Sequence, residues 1–141
     1  MHWIVFAFLT ASGYGFFNFF MKLSGSKFSP TVANIFIAGT SLLIAVISTL
    51  YLKYTGHELI FTRENIKLPI LAGVFTCIGE IFYLTMYSKQ APITIGYPLV
   101  VGSTMVIVII LGLIVLKEPL TLFKIIGLSC IIVGLIFVSR G

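Results

Sequence analysis

The segment APITIGYPLVVGSTMVIVIILGLIVL, residues 91–116, decides the fold because it contains no charged residue. About 18 consecutive apolar residues are enough to cross a hydrocarbon core of about 30 Å. A soluble domain of ordinary composition does not bury an apolar segment of this length without a much larger polar surface around it. The segment therefore predicts a helix that crosses a membrane.

Four further apolar segments flank this one, and the predicted helices lie at about 3–21, 30–52, 68–88, 91–116 and 120–138. Helices are favoured because a lone strand cannot satisfy its backbone hydrogen bonds in lipid. A barrel is excluded because the segments are continuously apolar rather than alternating. The sequence predicts an all-α membrane protein with five transmembrane helices, forming a single domain over residues 1–141.

The composition agrees with this prediction, since 59% of the 141 residues are hydrophobic and only 9% are charged. Soluble domains carry about 25% charged residues. The two cysteines, Cys77 and Cys130, lie in the middle of apolar segments without metal-ligand spacing, which favours small core residues. No catalytic set, phosphate loop or nucleotide fingerprint is present. We expect no enzyme activity, no cofactor and no metal.

Lysine and arginine residues stand singly at the ends of the apolar segments rather than in a basic run. They predict interfacial anchoring, and nucleic acid is not expected as a partner. Five helices place the termini on opposite sides, with five of these cations on the N-terminal side against four on the other. The first group is Lys53, Arg63, Lys67, Lys117 and Lys124, and the second is Lys22, Lys27, Lys89 and Arg140. This difference of one leaves a dual orientation open, although the 53–67 loop favours a cytoplasmic N-terminus.

Residues 96–138 resemble the last two helices of an EamA-type unit of the drug/metabolite transporter superfamily. The matching residues are Gly112, Glu118, Leu120, Thr121, Gly127 and Gly134. The opening at residues 12–30 also resembles the family pattern, with Gly15, Lys22 and Pro30 matching and Tyr14 standing where tryptophan is usual. The resemblance implies a transporter-type membrane protein of the cell (inner) membrane with several spans.

Most members of that superfamily look like ten helices built from two such units, whereas this chain holds one. The last two helices also resemble those of the small multidrug resistance proteins. Tyr14 stands where that family has a membrane glutamate, and Val100 stands where it has a tryptophan. Both departures argue against proton-coupled antiport of quaternary ammonium ions.

Glu80 lies near the middle of the third predicted helix. An acidic residue at such a depth costs about 2.5–3.5 kcal/mol on insertion scales, so a partner, water or a proton must compensate it. Intramembrane ionisable residues indicate a functional site. The alternative is a protonated glutamate that forms a structural hydrogen bond.

Polar residues cluster in the same half of the bilayer as Glu80. At 1.5 Å per residue, Tyr14 and Glu80 both lie about 3 Å from the midplane. Asn18 shares the helical face of Tyr14, Tyr83 shares that of Glu80, and Asn34 and Tyr97 fall in the same half. Such a cluster predicts a water-accessible cavity that binds substrate or couples its transport. The alternative for tyrosines near helix ends is the aromatic belt at the membrane interface.

The fourth and fifth helices carry small and helix-breaking residues. Pro98 and Gly102 predict a kink, and helices interrupted by Gly or Pro often mark a transporter binding site. Ser103, near the centre of the fourth helix, is expected to line the cavity. Gly127, Ser129 and Gly134 allow close helix approach, and the resemblance implies that the last helix contacts a second unit.

The sequence therefore predicts a secondary transporter of a small organic solute, with proton coupling left open. Five helices per unit invert a second unit relative to the first, so we expect an antiparallel homodimer or a heterodimer with a similar protein. The alternative function is a non-transporting membrane subunit, or one half of a lipid-carrier flippase. The lipid bilayer and a small-molecule substrate are the other expected partners.

Overall fold

The computed structural model describes residues 2–140, and for His2 and Ser139 it describes the backbone alone. Five α-helices lie in this range: α1 (His2–Gly25), α2 (Pro30–Tyr54), α3 (Lys67–Ser88), α4 (Ile93–Ile114) and α5 (Leu122–Arg140), with a short 3₁₀ turn at Arg63–Asn65. The chain divides after Gln90 into two compact units. The first unit contains α1 to α3, and the second contains α4 and α5. The prediction of five helices is confirmed.

Four of the helices, α1 to α4, are long and apolar enough to cross a membrane. The apolar part of α5, Leu122–Val138, is shorter and spans about 26 Å at 1.5 Å per residue. That length lies near the lower limit for a spanning helix of about 17 residues. Every helix also exposes most of its large apolar side chains. Such surfaces are stable in lipid and rare in water.

The helix ends differ from the predicted ends by a few residues, for local reasons. α1 continues past the predicted end at residue 21 to Gly25, because Lys22 can extend its charge to the interface and suits the negative end of the helix dipole. α4 begins at Ile93 rather than 91, because Gln90 has a left-handed backbone (φ 63°) and Pro92 is extended. The start of a helix depends on such backbone conformations more than on hydropathy.

The turn between α4 and α5 is longer than predicted. α4 ends at Ile114 rather than 116, and Lys117 then has a left-handed backbone (φ 53°). The backbone N–H of Glu118 bonds to the carbonyl of Gly112 at 3.1 Å. α5 begins at Leu122 rather than 120, and the Thr121 hydroxyl accepts a hydrogen bond from the Lys124 N–H, as an N-cap does. Glu118 therefore lies in the turn, before the first turn of α5.

The core of the first unit lies at one end of its three helices. α1 ends there, α2 begins there and α3 ends there, so α1 and α3 run in one direction and α2 in the other. The buried residues with apolar side chains are Met21, Ala33, Leu84 and Tyr87. Between residues 35 and 79 nearly all side chains are exposed. The three helices therefore pack tightly only at the end opposite the N-terminus, which we call the packed end.

Candidate functional site

The packed end depends on a close approach of α1 to α3. A Cβ atom added to Gly25 would lie 2.6 Å from the Cβ of Tyr87 and 3.2 Å from the carbonyl oxygen of Leu84. Both of these atoms are fixed to the backbone, so no side-chain rotation could relieve the overlap. Only glycine allows α1 to pass α3 at this distance.

Tyr87 fills the packed end and is 0% exposed. Its hydroxyl lies 2.9 Å from that of Tyr83, and the two ring centroids are 4.8 Å apart. The Lys22 ammonium lies 5.3 Å from the centroid of the Tyr87 ring, within the range of a cation–π interaction. Tyr83, a predicted site residue, is therefore joined to the buried cluster that closes this end of the first unit.

Glu80 lies two helical turns before Tyr87 on α3, where the packed end gives way to the exposed part of the helix. It is partly buried. Among the described residues 2–140, none hydrogen-bonds to its carboxylate or forms an ion pair with it. An acidic group inside a membrane span needs compensation, so a proton, water or a bound solute must provide it.

Asn34 belongs to the polar cluster predicted in the half of the bilayer that holds Glu80, but it is not among the predicted site residues. It lies on α2, is 4% exposed, and directs its Nδ2 at Cys77 of α3, at 3.2 Å from Sγ and 3.5 Å from the carbonyl oxygen. Its Oδ1 is buried and has no hydrogen-bond partner. Its polarity in an apolar helix was visible in the sequence, but its contact with the turn before Glu80 was not.

Asn18 and Tyr14, two predicted site residues, are linked along α1. The Asn18 Nδ2 donates a hydrogen bond to the Tyr14 carbonyl, and Asn18 itself is 9% exposed. The Tyr14 ring is 60% exposed and meets Phe17 edge-on, with centroids 6.3 Å apart. Asn18 therefore lies within the unit, whereas Tyr14 presents its ring outward.

The remaining predicted site residues, Tyr97 and Ser103, lie on α4 of the second unit. Tyr97 is partly buried and Ser103 is exposed. Their membership in one site with Glu80 stays a prediction. α4 is a continuous helix through Pro98, and the kink also stays a prediction. Gly102 has a packing role that was not foreseen, because a Cβ there would overlap the Leu135 side chain of α5.

α4 and α5 of the second unit line an open apolar cavity of about 460 Å³. It reaches from Met105 and Ile131 to the turn, where Glu118 and Lys124 lie at its edge. The Lys124 Nζ donates to the carbonyl of Pro119 at 3.2 Å. Gly127 also lines the cavity, and this glycine was predicted as a dimer contact.

The other two predicted contact residues lie further along α5. The Ser129 hydroxyl donates to the carbonyl of Ile125 at 2.9 Å, which satisfies it within the helix. A Cβ on Gly134 would meet no atom of the described residues within 4 Å, and the same holds for Gly127. Gly127 and Gly134 lie on one face of α5 and Ser129 on another, and the role of the three residues as a contact stays a prediction.

Comparison with known proteins decides the family. A sequence model of the EamA-like transporter family matches residues 1–140. The chain belongs to the EamA-like transporter family. Comparisons with curated proteins and with solved structures gave no match.

Membership confirms the resemblance to the drug/metabolite transporter superfamily. Together with the long apolar helices, it makes this EamA-like protein an integral, all-α membrane protein of the transporter type. The match extends over all five helices and both units. The motifs that carry the sequence resemblance lie in residues 12–30 and 96–138, and the family match also includes α2 and α3, which carry Asn34 and Glu80.

Proposed function

We propose that this EamA-like protein is a secondary transporter of a small organic solute, located in the cell (inner) membrane, and that Glu80 contributes to its solute site. The observation that carries the proposal is a partly buried carboxylate within a membrane-crossing helix that no described residue pairs with. A structural glutamate in lipid is expected to have a partner within the protein. A glutamate that binds the solute or couples its transport is paired only while a proton or the solute is bound to it.

The position of Glu80 next to the packed end supports this role. On the side of Glu80 toward the packed end, solvent is excluded by the buried side chains of Tyr87, Met21 and Leu84. On the other side, the residues of α3 toward its N-terminus are exposed. A solute bound at Glu80 would meet the packed end on one side. Alternating access requires a site near the midplane that is closed on one side at a time. The solute would cross without chemical change.

The test is a thermal-shift screen of purified protein against small organic solutes, repeated on Glu80→Gln. Glu80→Gln keeps the shape of the side chain and removes its charge, so we expect stabilising solutes to lose their effect. Glu58→Gln, in the exposed loop after α2, is the matched control and should respond as the wild type does. Solutes that stabilise wild type and Glu80→Gln equally would show that the proposed role of Glu80 is wrong. Proton coupling belongs to the same proposal, and transport independent of pH would exclude it.

We also propose that a second five-helix unit, inverted in the membrane, completes the transporter. An odd number of helices inverts the second unit, and inverted pairs allow alternating access. The nearly balanced Lys and Arg count permits insertion in both orientations. The proposed contact is α5, where Gly127, Ser129 and Gly134 are small enough to allow close helix approach. The partner is a second copy or a similar protein.

A second candidate function is one half of a lipid-carrier flippase. The apolar cavity between α4 and α5 favours it, because that cavity is lined by aliphatic side chains and has Glu118 and Lys124 at one edge. A lipid chain would fill such a cavity, whereas a water-soluble solute would not. Stabilisation by carrier lipids that Glu80→Gln leaves unchanged would favour this function over the first.

A further inference from the structure

Two hydrogen-bond acceptors of the first unit lack donors. The Asn34 Oδ1 is buried without a partner, and the Glu80 carboxylate has none among residues 2–140. The orientation of the Asn34 amide follows from its neighbour, since the Cys77 carbonyl can only accept and therefore faces the Nδ2. The Oδ1 is thus the atom left without a donor.

The two acceptors lie near the same face of α3. Asn34 contacts Cys77 through both its carbonyl and its sulfur, and Glu80 follows Cys77 by three residues. Residues three apart on a helix are neighbours on one surface, with Cβ atoms about 5–6 Å apart. Asn34 therefore borders the helical turn that carries the carboxylate.

The cations of the first unit, and the hydroxyls of Tyr83 and Tyr87, have other positions or partners. Lys22 lies over the Tyr87 ring, and the Tyr83 and Tyr87 hydroxyls bond to each other. The remaining cations of this unit are exposed residues at helix ends or in loops: Lys27, Lys53, Arg63, Lys67 and Lys89. A bound solute that carries both positive charge and an N–H donor would satisfy both acceptors at once.

We propose that the solute is a small organic cation with at least one N–H donor, a primary or secondary ammonium, and that Asn34 selects it. Glu80 balances its charge, and the Asn34 Oδ1 accepts one of its N–H groups. This inference rests on the proposed transport function and names its substrate class. An anion would meet an unpaired carboxylate, and a quaternary ammonium would carry the charge but leave the buried Oδ1 without a donor.

The experiment compares equilibrium binding of four probes to purified protein: 2-phenylethylammonium, its N,N,N-trimethyl analogue, 2-phenylethanol and 3-phenylpropanoate. We expect the primary ammonium to bind at least about tenfold more tightly than the trimethyl analogue, because one hydrogen bond to a charged donor separates them. The alcohol and the carboxylate should bind more weakly still. Equal binding of the primary and trimethyl cations to the wild type would overturn the proposal, and this comparison needs no variant.

Variants then assign the selectivity to Asn34. Asn34→Leu has a similar size and no acceptor, so the preference for the primary over the trimethyl cation should fall to within about twofold. Thr40→Val is the matched control, since Thr40 also lies on α2 but its hydroxyl bonds within its own helix, to the Phe36 carbonyl. Thr40→Val should retain the full preference. A full preference in folded Asn34→Leu would overturn the role of Asn34.

Failure of this inference differs from failure of the proposed function. Glu80-dependent binding of only the alcohol or the carboxylate would overturn the ammonium class and leave a Glu80-dependent transporter in place. Binding of the cations that is equal in wild type and Glu80→Gln would overturn both proposals.

Discussion

At the scale of single residues, Gly25 determines whether α1 and α3 can meet. The chain has 13 glycines, and for most of those described an added Cβ would meet no atom within 4 Å. At Gly25 it would meet the Tyr87 Cβ and the Leu84 carbonyl oxygen. Because Tyr87 is the largest fully buried side chain at the packed end, displacement of α1 there would open the cluster that excludes solvent next to Glu80.

We therefore expect Gly25→Ala to lower the stability of the purified protein by about 1–3 kcal/mol, as overpacking does in other cores. The measurement is the apparent melting temperature in detergent. Gly39→Ala on α2 is the control, because a Cβ there has open space and alanine favours a helix. Equal melting temperatures for Gly25→Ala and Gly39→Ala would contradict the packing described for this end.

At the scale of elements, the helices could be predicted from the sequence, and their ends only roughly. Apolar length predicts a span because the bilayer sets that length. The helix ends depend on backbone conformations, such as the left-handed Gln90 and Lys117, which no hydropathy pattern encodes. At the end of α2, the Gly56 N–H donates to the Lys53 carbonyl and the His57 N–H donates to the Leu52 carbonyl. Gly56 has a left-handed backbone (φ 80°), so this is the Schellman motif, which favours glycine at that position.

The candidate site was harder to predict than the helices. Glu80 could be chosen from the sequence because a charge in an apolar segment is conspicuous and costly. Asn34 could not be ranked above other polar residues, since its importance comes from a contact between α2 and α3 and from an acceptor left unsatisfied. The spacing of residues in the sequence shows which side chains share a face of one helix. It does not show which faces of two helices meet, and the contact of Asn34 depends on that.

The start of α5 provides a prediction at this scale. Thr121 is its N-cap, and Thr121→Ala should cost about 0.5 kcal/mol, the low end for such caps, because the Lys124 N–H lies 3.4 Å from the hydroxyl. The readout is again the apparent melting temperature. Thr49→Ala, within α2, is the comparison, since its hydroxyl bonds only the Ala45 carbonyl of its own helix and alanine is the better helix former. A larger loss for Thr49→Ala would show that Thr121 does not cap α5.

At the scale of the whole molecule, the proposed pairing of inverted units predicts two orientations in one membrane. Ile60, in the loop after α2, is 94% exposed and suits a labelling cysteine. In a Cys77→Ala, Cys130→Ala background, we expect Ile60→Cys to react with a membrane-impermeant maleimide from both sides. Gln90→Cys, in the connection after α3, should do the same. Labelling from one side only, in protein that transports without a partner, would rule out the antiparallel homodimer.

The central claim is that Glu80 provides the solute site of an EamA-like transporter. Its most direct test is counterflow of a solute bound by the wild type, measured in proteoliposomes that contain wild type, Glu80→Gln or Glu58→Gln. We expect wild type and Glu58→Gln to accumulate labelled solute and Glu80→Gln to fall to the background of empty liposomes, since its side chain can neither balance charge nor exchange a proton. Counterflow by Glu80→Gln at the wild-type rate would contradict the claim.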